Sequence, residues 1–167
     1  AQRANLDNYD DADASNDAHA RGHIANTFLF NNDTRSLIEN AIASAGDDTI
    51  TGNQAANRLE GRAGADSLFG QDGNDTLTGG DGSIDWGDTL NGGTGADTFI
   101  LSKDAGAVIE DYDPAEDAIE IVYEGEMPVL STTVDENGLT LLADGQVVAS
   151  FDDLQTLELR TITPVAA

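Results

Sequence analysis

The chain contains no cysteine. Disulfides are therefore excluded as a source of stability, and thiolate metal sites with them, although this fixes no compartment. Basic residues are almost as scarce, with 7 Lys+Arg against 32 Asp+Glu in 167 residues and a formal net charge of -25. That imbalance argues against nucleic acid and anionic membrane surfaces as partners, because both would repel the chain. No apolar run approaches the ~20 residues of a bilayer span, so membrane insertion is not expected. The sequence begins at Ala1 without Met or a basic-then-apolar leader, which leads us to expect a processed product or a fragment. Aromatic residues are few at 5%. High net charge with few aromatics is the usual composition of an acidic disordered chain. The spacing of the residues points the other way.

From Ala43 to Ile100 the sequence repeats, for the most part every nine residues. The units are ASAGDDTIT (43–51), GNQAANRLE (52–60), GRAGADSLF (61–69), GQDGNDTLT (70–78), an expanded GGDGSIDWGDTLN (79–91) and GGTGADTFI (92–100). Position six holds Asp48, Asn57, Asp66, Asp75, Asp88 and Asp97; position eight holds Ile50, Leu59, Leu68, Leu77, Leu90 and Phe99. Each unit divides into a six-residue turn and a three-residue strand whose middle side chain points inward. Glycines at positions one, two and four allow positive φ and leave the turn carbonyls uncovered. Two units then make one coil, and successive coils stack at the ~4.8 Å strand spacing. Asp48, Asp66 and Asp88 would line one edge, and Asn57, Asp75 and Asp97 the other.

Stacked carboxylates ~5 Å apart repel by roughly 3 kcal/mol per pair at an effective dielectric near 20. The single apolar column offers little burial against the entropy of ordering this segment. A divalent cation between turns changes the sign of the carboxylate interaction. Calcium takes six to eight oxygens, backbone carbonyls included, in flexible geometry, which carbonyl-rich glycine turns with one carboxylate each can supply. Magnesium prefers octahedral geometry and keeps its waters. Zinc prefers His or Cys, and these turns have neither. Several Ca2+ ions are therefore the expected cofactor and the principal partner.

The repeat resembles the RTX nonapeptide G-G-x-G-x-D-x-U-x, a calcium-binding repeat. The stretch SLIENAIASAGDDTITGNQAANRLEGRAGADSLFG further resembles the approach to the repeats in serralysin-type secreted metalloproteases, and VIEDYDPAEDAIEI resembles the segment that follows them. The resemblance spans roughly residues 36–121 and implies an all-β fold, a parallel β-roll with calcium in both columns, exported by type I secretion. It implies a site using Asp48 and Asp66 with carbonyls of Ser44, Gly46, Gly61 and Ala63. A second would use Asn57 and Asp75 with carbonyls of Asn53, Ala55, Gly70 and Asp72. Asp75 and Asp97 would share a third with Gln71, Gly73, Gly92 and Thr94. Gly64 and Gly79 belong to the same turns, Glu39 matches the acidic residue before the first turn, and Asp111 is a further ligand candidate at the cap. The extra residues of the expanded unit leave the partner of Asp66 open among Asp81, Asp85 and Asp88. The terminus TITPVAA lacks the acidic-then-hydrophobic ending associated with serralysin-type secretion signals, so export rests on the family resemblance alone.

Residues 1–25, with DNYDDADASND, read as a flexible acidic linker rather than an ordered calcium loop. Lead-in strands are expected over 26–42, following IANTFLF from Ile24, then the roll over 43–100. An antiparallel, sandwich-like β cap is expected over 101–167, with a hairpin turning at Asp144-Gly145 and a further strand in LQTLELRTI. His19 and His23 are spaced like the histidines of a zinc-protease helix, but Ala20 stands where H-E-x-x-H needs its general base. No nucleophile is paired with a base, so the chain reads as a non-catalytic, secreted calcium module. Trp86 is expected to fold over the edge of the roll. Two other readings stay open: the C-terminal part of a larger secreted enzyme, serralysin-like, with an upstream domain as partner, and a calcium-dependent surface or polysaccharide binder.

Overall fold

The computed structural model describes residues 3–5, 23–24, 39–80, 87–136, 138–151, 154–157 and 162–166. Among them every regular element is a strand: β1 Arg3–Asn5, β2 His23–Ile24, β3 Asn40–Ile42, β4 Thr49–Thr51, β5 Arg58–Glu60, β6 Ser67–Phe69, β7 Thr76–Thr78, β8 Asp88–Asn91, β9 Thr98–Ser102, β10 Ala107–Ile109, β11 Ala118–Tyr123, β12 Leu130–Asp135, β13 Gly138–Ala143, β14 Gln146–Phe151 and β15 Ile162–Ala166. Strands from β1 to β11 alternate between two sheets. One runs β1-β3-β5-β7-β9-β11-β15, the other β12-β13-β14-β10-β8-β6-β4-β2. The chain is thus a parallel β-solenoid whose coils each contribute one strand to each sheet.

Register follows the nonapeptide. Ile50 lies beside Leu68 and Leu59 beside Leu77, one 18-residue coil apart. Leu68 pairs with Leu90 and Leu77 with Phe99, so the expanded unit adds its extra residues without shifting either sheet. The strands hold phase because a one-residue slip would turn every inward side chain to solvent. All six position-eight residues are at most 2% exposed and form the core of the roll.

The antiparallel cap is smaller than expected. β10 pairs in parallel with β8, and β11 in parallel with β9 and β15. The solenoid therefore continues past residue 100, with Ile109 and Ile119 beside Leu90 and Phe99 in the core column. Among the described residues only β12, β13 and β14 pair antiparallel, and β14 joins β10 in parallel. Solenoid pairing needs only the inward apolar residue in phase, and VIE and AIEI keep it after the glycines are gone. The hairpin forms at Asp144-Gly145, whose φ values of 53° and 80° are both positive, as a type I′ turn requires. Tyr112 seals the junction edge-on between Phe99 and Phe151, with ring centroids 6.2 and 5.6 Å away.

At the other end, Arg3–Asn5 and His23–Ile24 differ from the expected linker. They pair in parallel with β3 and β4. An open sheet end presents unpaired N–H and C=O groups that accept an extended segment with little regard to its sequence. The rest of 1–25, residues 25–38 and the middle of LQTLELRTI lie outside the described residues.

Candidate metal centre

The position-six side chains of the six repeat units are buried: Asp48, Asn57, Asp66, Asp75, Asp88 and Asp97 are each at most 6% exposed. One oxygen of Asp66, Asp75, Asp88 and Asp97 is tied to the coil before it. Oδ1 of Asp66 accepts the N–H of Asp48 at 2.8 Å, and Oδ1 of Asp88 that of Asp66 at 3.0 Å. On the other edge, Oδ1 of Asp75 accepts from Asn57 at 2.6 Å and Oδ1 of Asp97 from Asp75 at 2.7 Å. These bonds stack the side chains into the two columns. Asp88 therefore stands beside Asp66; Asp81, Asp85 and Trp86 lie outside the described residues.

The second oxygens carry the chemical signal. Oδ2 of Asp66, Asp75 and Asp97 are buried without a hydrogen-bond partner. A buried carboxylate oxygen left unpaired is costly, and a cation is one of the few groups that remove the cost. The position-one glycines show where these oxygens face. A Cβ on Gly61 would overlap Oδ2 of Asp66 and the carbonyl oxygen of Gly79; one on Gly70 would overlap Oδ2 of Asp75 and the carbonyl oxygen of Gly92. Gly52 stands in the same relation to Oδ1 of Asn57 and the carbonyl of Gly70. Each glycine leaves room where a position-six side-chain oxygen of one coil approaches a carbonyl of the next. Such mixed hard-oxygen sets suit calcium.

Asp48 and Asn57, early in each column, are different. Oδ2 of Asp48 accepts from the Ser44 N–H at 3.2 Å, and Oδ1 of Asn57 from the Asn53 N–H at 2.7 Å. Among the turn carbonyls, that of Ala63 accepts from Gly46, that of Gln71 from Thr94 and that of Thr94 from Gly73. A carbonyl has two lone pairs, so these bonds leave each with acceptor capacity. Gly64 lies against Gly46, and Gly73 against the carbonyl of Ala55. Asp72 points outward, where its Oδ1 accepts from the Thr94 hydroxyl at 2.9 Å.

Glu39 is exposed, but its carbonyl accepts the Arg58 N–H as those of Asn57 and Asp75 accept from Thr76 and Thr98. It occupies position six of the coil before Asn57. Asp111 receives the N–H groups of Gly92 and Gly93 on its two oxygens, at 2.9 and 2.6 Å, outside position six. The residue that sequence reasoning missed is Asp117. Its Oδ1 accepts the Asp97 N–H at 2.9 Å, and Oδ2 accepts from Asp113 at 2.8 Å. Asp117 with Ile119 repeats positions six and eight, a signal hidden because DYDPAE replaces the glycine turn. The even column thus runs Glu39, Asn57, Asp75, Asp97, Asp117. The odd column runs Asp48, Asp66, Asp88 and ends at Ala107, which is in register with Asp88.

Burial raises the Asp66 carboxyl from 3.8 to about 6, against the hydrogen bond from Asp48, with the charges of Asp88, Asp48 and Asp47 adding to the rise. Asp75 is likewise raised to about 6, first by burial and then by the Asp97 and Asp72 charges. Asp88, Asp97 and Asp117 are also raised, in each case chiefly by burial. Among the described residues no three acidic or histidine side chains converge on one point, so a bound ion must draw on backbone carbonyls.

Comparison with known proteins agrees with this chemistry. The family model for the RTX calcium-binding nonapeptide repeat (4 copies) matches residues 36–68, 51–83 and 87–104. No curated protein matches the chain. The solution structure of the AlgE6R3 subunit from the Azotobacter vinelandii mannuronan C5-epimerase is similar, with a TM-score of 0.54 and 28% identity over 73% of this chain and 80% of that one. The repeat region is thus similar to the RTX calcium-binding nonapeptide repeat over residues 36–83 and 87–104.

Proposed function

We propose that this is a secreted, non-catalytic module that folds when calcium reaches it outside the cell. The observation that carries this reading is the set of buried, unpartnered Oδ2 atoms on Asp66, Asp75 and Asp97. Calcium, when bound, supplies the positive charge these oxygens face. The Asp48/Asp66, Asn57/Asp75 and Asp75/Asp97 pairs, with the turn carbonyls assigned above, are the ligands we propose. Asp88 would serve opposite Asp66, Asp117 opposite Asp97, and Glu39 and Asp111 at the margins.

Extracellular calcium modules bind at on the order of 10⁻⁴–10⁻³ M, so such a chain stays unfolded in a calcium-poor cytoplasm. An unfolded chain can thread a narrow export channel of the type I kind. Circular dichroism across a calcium titration tests the reading. We expect β structure to appear cooperatively with calcium and to vanish in chelator; a chain equally structured in both would refute it.

A second reading is favoured by the structural neighbour, which is a subunit of an epimerase. On that reading the module is the non-catalytic part of a larger extracellular enzyme. The sequence of the full-length gene product distinguishes the two.

A further inference from the structure

The sheet that contains β12 ends there, so one side of Leu130–Asp135 has no neighbouring strand among the described residues. Edge strands are usually blunted by lysine, proline or a bulge. β12 has none of these: it reads LSTTVD and pairs with β13 without a register shift. Its row of Leu130, Thr132 and Val134 lies opposite Ala143, Leu141 and Leu139, all buried in the core. Yet Val134 is 51% exposed, and the adjoining Met127 and Val129 are 68% and 74% exposed. Among the described residues these are the exposed large apolar side chains; Val129 sits beside Asp144 where β12 begins, and Val134 beside Leu139 where it ends. Glu124, Glu126, Asp135 and Glu136 flank them, all exposed. Between Lys103 and Arg160 the sequence has no basic side chain. None of these four acids lies in a calcium column, so the local negative charge persists when the roll is loaded.

We propose that β12 is a docking strand for an extended, basic segment of another polypeptide, which adds to the sheet edge. Strand addition supplies main-chain hydrogen bonds to the free side of β12, and alternate apolar side chains on one face of the added strand would rest beside Leu130, Thr132 and Val134. The acidic rim selects for lysine or arginine at the intervening positions. A second copy of this chain is disfavoured by the same charge. This inference concerns the cap and stands apart from the calcium function proposed above.

The test uses the full chain in calcium and an eight-residue peptide alternating lysine and valine. Controls are the same peptide with glutamate for lysine and one with central prolines. We expect saturable binding of the first, at least about tenfold weaker binding of both controls, and slowed amide exchange confined to β12. Thr132→Pro removes one N–H from the open edge, because Asp135 and Gly138 close a two-residue hairpin and Thr133, in phase with Asp135, bonds to β13; it should weaken binding at least about tenfold. Val134→Lys should do the same through charge. Calcium-dependent circular dichroism of each variant establishes that it still folds. Equal binding by folded Thr132→Pro, equal binding of the proline peptide, or protection mapping to the Asp columns would overturn the proposal. Dimerisation through β12 in sedimentation would also overturn it, assigning the edge to a second copy.

Discussion

The backbone N–H of Asp48 is bonded to Oδ1 of Asp66 at 2.8 Å, eighteen residues along the chain. One side chain therefore serves two coils: Oδ1 fixes the backbone before it, while Oδ2 waits, buried and unpaired. Replacing Asp66 should split these roles. In Asp66→Asn the amide keeps one acceptor and loses the charge. We expect the calcium midpoint for folding to rise roughly tenfold, about 1.4 kcal/mol. The calcium-free chain should become less unstable, because a buried charge is gone. A variant that folds at the same calcium concentration would remove Asp66 from the ligand set.

Position one tests the space between coils. A Cβ on Gly61 overlaps both Oδ2 of Asp66 and the Gly79 carbonyl, and a backbone carbonyl cannot swing aside. Gly61→Ala should destabilise the calcium-bound form by about 2–3 kcal/mol, the cost of overpacking a fixed site. Thermal unfolding in saturating calcium measures it. An unchanged melting temperature would mean that the turn has room to relax.

Position two is where this sequence departs from the repeat at an energetic cost. Arg62 and Gln71 have φ of 77° and 85°, where Gly80 and Gly93 stand in equivalent turns. The left-handed region costs a side chain roughly 1–2 kcal/mol, which glycine avoids while losing some unfolded-state entropy in exchange. Gln71→Gly should therefore stabilise the loaded roll by about 0.5–1 kcal/mol. Arg62→Gly should gain slightly less, since it also loses a half-exposed ion pair to Glu60 at 3.5 Å. Loss of stability in both would show that the positive φ is not strained.

Much of this was legible in the sequence because a solenoid writes its period directly. Position eight had to be apolar and inward, position six had to be polar at a turn, and both columns are where the spacing put them. The extra residues of 79–91 obscured the partner of Asp66, since sequence spacing cannot tell an enlarged turn from a shifted strand. Only the pairing of Leu68 with Leu90 decides it. The end of the roll was hidden for another reason. Past Ile100 the glycines vanish, yet parallel pairing needs only the apolar residue in phase, which Ile109 and Ile119 supply. Glycine marks the turns; it does not mark the extent of the sheet.

The raised carboxyls give the calcium-free chain a signed pH dependence. Asp66 and Asp75 move from 3.8 to about 6 on folding. A folded-state value above the unfolded one means stability that is fully present below about 3.8 and lost as pH rises through about 6. In calcium-depleted buffer the β signal should be greatest near pH 4 and decline towards pH 7. Calcium binding near pH 6 should release protons, measurable by calorimetry in buffers of different ionisation enthalpy. A β signal that grows with pH without calcium would contradict the burial of these groups.

Tyr112 couples the cap to the last coil. Its ring lies edge-on between Phe99 of the core column and Phe151 of β14, and its hydroxyl donates to the Asp117 carbonyl at 3.4 Å. The two contacts predict unequal consequences. Tyr112→Phe keeps the ring and gives up a long, half-buried hydrogen bond, which should cost under about 1 kcal/mol. Tyr112→Ala removes both aromatic contacts and leaves a gap where cap and roll meet, costing about 2–3 kcal/mol for a half-buried ring. Because Asp117 and the 107–123 coil rest on this junction, Tyr112→Ala should also raise the calcium midpoint, whereas Tyr112→Phe should not. Paired calcium titrations and thermal melts read both effects. If Tyr112→Ala lowers the melting temperature without moving the calcium midpoint, the cap stabilises the roll only by packing and has no part in calcium loading.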